Sequence, residues 1–267
     1  MGLYGNEVWF GTEGNLQWVP APAANYNTSN VRWRATDVFL NGGAAVRQST
    51  ASHKELSLSW PVQSQEVLAP LVSTLQQAGP YYYLDPIAGA SNALPPYWAQ
   101  PGMVQDGPPL VPGVTPQYIP STGGESLNYP SKALNIYLPV GGKTSIKIPI
   151  PSGYVAYVGV HGSGSGSIYG DQTVPHIPVT SSERTNFAVA NQPFFTLELL
   201  PGTHSISGII LQVLPSGSDP VNGKFLPGVG HSELVLNGDP TITNYSVAIP
   251  HAQTGVAADF IEVGAWL

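Results

Sequence analysis

The chain of 267 residues is long enough for one large β domain or two of ordinary size, either of which can bury a real core. Only 9 Lys+Arg and 16 Asp+Glu are present, so 9% of the residues are charged against about a quarter in typical soluble domains, and the surface must be built from neutral polar side chains. A net charge of −7 with no basic run excludes electrostatic binding to nucleic acid, the lack of cysteine excludes disulfides and thiolate chemistry, and no apolar stretch reaches the roughly 18 residues that cross a membrane as a helix.

Glu7 to Phe10 and Asn15 to Pro20 are apolar runs separated by Gly11 and Gly14, which predicts a hairpin or two edge strands. From Val31 to Leu40 the chain alternates, with Val31, Trp33 and Ala35 against Arg32, Arg34 and Thr36, and then slips phase as a bulge would make it do. Asn41-Gly42-Gly43 predicts a hairpin turn, Ala44 to Ser49 the return strand, and Glu55 to Trp60 a strand with Leu56, Leu58 and Trp60 on one face. Pro61 is expected to end it. Val67, Leu68, Leu71, Val72 and Leu75 then form an apolar stripe of helical period, with Ser64 as the expected N-cap, Pro70 tolerated only in the first turn or at a kink, so that the regular part begins near Val67, and Gly79-Pro80 as the stop.

Pro80 to Met103 carries Tyr81, Tyr82, Tyr83, Tyr97 and Trp98 among five prolines, a composition that predicts extended runs and turns rather than a helix. Such rings need a surface to cover. The segment therefore reads as a joint, its rings packing on a neighbouring domain, a partner chain or a ligand. Residues 104–127, rich in Pro, Gly, Gln and Ser, read as a linker. Beyond them the pattern is strands alone: Leu134 to Leu138, Ile146 to Ile150, Tyr154 to Val160, Pro193 to Leu200, Ser205 to Leu214, Ser232 to Leu236, Ile242 to Ile249 and Ala257 to Leu267. The expected fold is thus mainly β: an N-terminal β domain with one helix over 1–103, the linker, and a C-terminal β-sandwich of jelly-roll or lectin type over 128–267.

Chemistry finds little purchase. The Gly-Ser run from His161 to Ser167 has neither the spacing of a phosphate loop nor that of a nucleophile elbow. The six histidines show no His-x-His or His-x-x-x-His pair, so no metal or cofactor site is expected. Glu183, Glu198, Glu233, Asp239 and Asp259 would suffice in number for a glycosidase, but nothing in the sequence brings two of them to one cleft. No catalytic residue is assigned.

Three stretches carry a resemblance: Asn15-Leu16-Gln17-Trp18-Val19-Pro20-Ala21-Pro22; Asp85-Pro86 with Leu94-Pro95-Pro96-Tyr97-Trp98-Ala99-Gln100-Pro101-Gly102; and the closing Glu262-Val263-Gly264-Ala265-Trp266-Leu267. With the Gly-Gly hairpin and Arg47 to Trp60, they resemble minor tail proteins of long-tailed siphophages infecting actinobacteria, whose N-terminal domain is akin to the distal tail protein. The resemblance implies a non-enzymatic virion protein, assembled in the host cytoplasm, that forms a homo-oligomeric ring, hexameric or alternatively trimeric, between the tail tube and the tail-tip hub. The residues expected at subunit interfaces, or on a host surface glycan, are Trp33, Tyr81, Tyr82, Tyr83, Tyr97, Trp98, Tyr169 and Trp266. A glycan-binding module is the alternative reading, and a glycan hydrolase a third.

Overall fold

The computed structural model describes residues 7–23, 27–38, 44–102, 117–120, 132–141, 144–164, 167–170, 177–178, 188–190, 193–199, 201–221, 225–246 and 252–263. In chain order the first elements are β1 (Glu7–Thr12), β2 (Asn15–Pro20), β3 (Asn27–Val38), β4 (Ala44–Ser64), helix α1 (Gln65–Leu75), β5 (Tyr81–Leu84) and the short helices α2 (Pro86–Ser91) and α3 (Pro96–Ala99). Nine strands follow: β6 (Gln117–Pro120), β7 (Lys132–Leu138), β8 (Thr144–Pro149), β9 (Tyr154–Gly164), β10 (Ser167–Gly170), β11 (Ile177–Pro178), β12 (Ala188–Ala190), β13 (Phe194–Leu199) and β14 (Gly202–Pro215). The chain closes with β15 (Glu233–Leu236), β16 (Thr241–Ser246) and β17 (Gln253–Val263). The fold is mainly β and its strand pairs are antiparallel, as expected.

An eight-stranded sheet runs β2-β1-β5-β15-β17-β4-β3, with β16 beside β17. Alternation in β4 turns Leu56, Leu58 and Trp60 inward, and the same period in β17 turns Val256, Ala258 and Phe260 onto the same core. Leu68, Leu71 and Leu75 of α1 cover it. At its centre Phe10 stacks on Tyr81 at 5.7 Å, and the edge of Phe260 meets both rings at 5.9 and 5.8 Å. Two smaller sheets, β11-β10-β13-β8 and β12-β9-β14-β7-β6, bury one common set of side chains, Ile146, Ile148, Phe195 and Leu197 from one sheet and Val158, Leu211 and Val213 from the other. That arrangement is a β-sandwich.

Three expectations change. The sandwich was expected to run to the chain end, yet β15, β16 and β17 belong to the first sheet, so the sandwich strands are inserted between β5 and β15. Long-range pairing of this kind leaves no periodic trace in the sequence. Pro61 does not end its strand: β4 continues to Ser64 through a bulge between the Trp60–Val256 and Gln63–Thr254 pairs, where a missing N–H is tolerated. The prolines of the joint permit two short helices, because Pro86 and Pro96 stand at first helical positions, where no N–H is required. Asp85 caps α2, its carboxylate accepting the Ile87 N–H at 2.8 Å. Most of the expected linker, and the Asn41-Gly42-Gly43 turn, lie outside the described residues.

Phe260→Ala removes one corner of the aromatic triad and is expected to lower stability by about 3–5 kcal/mol. Denaturant titration checks it; a loss below about 1 kcal/mol would show that the two ends of the chain are not held together by this core.

Candidate functional site

Tyr81 to Leu84 lie between β1 and β15, so both edges of β5 are paired. Tyr81 and Tyr83 enter the core of the first sheet, whereas Leu84 enters the sandwich core and Tyr82 meets Phe194 edge-on at 4.6 Å. Tyr82 also donates its hydroxyl to Glu233 at 2.9 Å, and burial above all, with this carboxylate, raises its pKa. Four successive buried residues are therefore one strand that serves two cores. The joint read from the sequence is real, but its partner is the chain itself: Tyr81, Tyr82, Tyr83 and Trp98 are at most 4% exposed and Tyr97 is 9%. These five rings do not offer faces to a neighbouring subunit or a glycan, which corrects the expectation placed on them. Trp33 lies in β3 and Tyr169 in β10; Trp266 lies outside the described residues.

Asn92, between α2 and α3, was not singled out by its sequence context. It is fully buried, donating to the Ile209 carbonyl at 3.0 Å and the Leu226 carbonyl at 2.8 Å, and accepting from the N–H groups of Leu94 and Leu211 at 3.3 and 3.1 Å. One amide thus ties the joint to β14 and to the segment leading into β15. That segment passes so close that a Cβ on Gly230 would lie 1.7 Å from the Ala93 carbonyl oxygen.

Beside it lies a buried polar cluster. Glu262 Oε1 accepts from the Ser232 N–H at 2.7 Å and from the Ser232 hydroxyl at 2.9 Å, while its Oε2 faces Lys54 Nζ at 3.9 Å and His231 Nδ1 at 4.0 Å. Serine, histidine and glutamate here do not make a nucleophile: the hydroxyl is bonded to the carboxylate rather than to the imidazole, and all three side chains are buried. Proximity to Glu262 would favour an imidazolium, yet burial first and the Lys54 charge second hold His231 well down, at about 3. Burial outweighs Glu262 at Lys54 too, lowering its pKa. One sequence signal could have revealed the cluster: Glu262 is in phase with Val256, Ala258 and Phe260, a carboxylate on an otherwise apolar face.

Between the first sheet and the sandwich opens a cleft of about 1300 Å³. Val8, Val67, Ile87, Val213 and Leu214 supply its apolar lining, and among the described residues Glu7 and Asp85 line it with carboxylates and no Lys or Arg does. Val67 and Ile87 remain 46% and 77% exposed. Of the carboxylates considered for glycosidase chemistry, Glu198 is in β13, Glu233 in β15, Asp239 between β15 and β16 and Asp259 in β17, and Glu183 lies outside the described residues. Among the described residues, no three His, Asp or Glu side chains are grouped as a metal would require, and no helix is long and apolar enough to cross a membrane. Comparison of the chain with family models, with curated proteins and with solved structures finds no match.

The folded chain refuses His231 a proton that the unfolded chain accepts near pH 6.5. Its contribution to stability is complete above that pH and declines as the pH falls toward about 3. Melting temperatures followed from pH 7 to pH 4 are expected to fall, with a shallower slope in His231→Gln. An identical slope in the variant would remove His231 from the account.

Proposed function

We propose that the chain is a structural, non-enzymatic protein of a phage tail, forming a homo-oligomeric ring at the distal tail or tip that joins the tail tube to the host-recognition apparatus in the virion. The resemblance of its Trp18, Trp98 and C-terminal stretches supports the tail assignment. The observation that carries the oligomer is the scarcity of charge: with only 9 Lys+Arg and 16 Asp+Glu in 267 residues, little repulsion opposes stacking of identical subunits. The glycan-binding reading loses Tyr81, Tyr82, Tyr83, Tyr97 and Trp98, which are buried within the chain.

Native mass spectrometry and electron microscopy of the purified protein are expected to give closed rings, hexameric or alternatively trimeric. A wild-type protein that stays monomeric at tens of micromolar overturns the reading, and glycan-array binding by such a monomer would favour the glycan module instead.

A further inference from the structure

On the edge of β17 opposite β4, β15 takes Phe260–Val263 and β16 takes Gln253–Ala257. Among the described strands β16 pairs with β17 alone, so its second edge presents a row of backbone N–H and C=O groups that no described strand meets. Thr241 to Tyr245 are all exposed, on both faces of the strand. Proteins guard such an edge with charge, lysine above all, with proline, or with a strand of only a few residues. β16 uses none of these. Its six residues, Thr-Ile-Thr-Asn-Tyr-Ser, have the length of an ordinary strand, and no Asp, Glu, Lys or Arg occurs from Pro240 to Ala258.

The side chains around this edge add apolar area to it. A Cβ on Gly255 would lie 3.2 Å from Tyr245 Cε2 and 3.7 Å from Val62 Cγ2, so the Tyr245 ring lies over the β17 glycine, on the side where β4 brings Val62. Val62, Ile242 and Tyr245 remain 42%, 38% and 63% exposed. Unpaired backbone groups along an extended edge are matched in number and spacing by another extended strand. We infer that β16 is a strand-addition edge whose occupant is the β16 of a second copy of this chain, paired antiparallel about a two-fold axis so that two sheets become one. The absence of charge selects the identical strand: an uncharged edge sets no like charges against itself, and it offers none for a strand of opposite charge to recognise. This rests on the homo-oligomer proposed above and names one contact within it. A patch that meets its own copy joins subunits in pairs, so a hexamer built with it is three pairs.

The test places like charges on both sides of the axis. Thr241 and Thr243 are exposed and build no core, so Thr241→Lys with Thr243→Lys should leave the melting temperature of the subunit unchanged. It should raise the dissociation constant of the oligomer by about tenfold or more, because lysines of one copy face lysines of the other. Thr241→Glu with Thr243→Glu should do the same. Mixing the two variants should restore assembly, with one copy of each in every pair, as native mass spectrometry of their different masses would show. The wild type alone supplies a further test, since self-paired subunits come in even numbers. If the wild type assembles but the lysine variant assembles equally well, the mixture does not recover, or the wild type holds an odd number of copies, the β16 pairing is overturned while the oligomer stands. If the wild type is a monomer, both fail.

Discussion

The contact on which the architecture depends is the meeting of Phe10, Tyr81 and Phe260, which joins β1, β5 and β17 in one aromatic cluster. Each favourable aromatic pair adds about 0.5–1.5 kcal/mol beyond the area it buries, so the first core is complete only when the last strand has arrived. Between Leu84 and Glu233 the chain leaves the first sheet altogether to build the sandwich. Such an excursion is inexpensive at equilibrium, since each doubling of a closed loop adds only about 0.6 kcal/mol. Its consequence is kinetic: the pairing of β17 with β4 is a long-range contact, and chains dominated by such contacts fold slowly.

Hydrophobic burial alone would not fix how β17 sits. Alternating Val256, Ala258 and Phe260 could slide by two residues and still present an apolar face. Glu262 removes that freedom. Its Oε1 is held by both donors of Ser232, and a slip would strand a carboxylate among apolar side chains, a larger penalty than the contact itself is worth. Asn92 acts similarly on the other core, because its amide meets two carbonyls and two N–H groups from three segments that no other arrangement brings together. Polar groups at the seams select one register for surfaces that apolar packing leaves degenerate.

These features separate what could be read along the chain from what could not. Local period identifies Leu56, Leu58 and Trp60 as one strand face and Leu68, Leu71 and Leu75 as one helix face, and both hold. Partnership between strands is not local. The end of the chain therefore read as part of the sandwich, although β17 lies beside β4. The same limit applied to Tyr81 to Leu84. Composition demands that these rings be covered, but it cannot distinguish cover by the same chain from cover by another. Asn92 carried no signal, since a buried amide and an exposed one look alike in sequence.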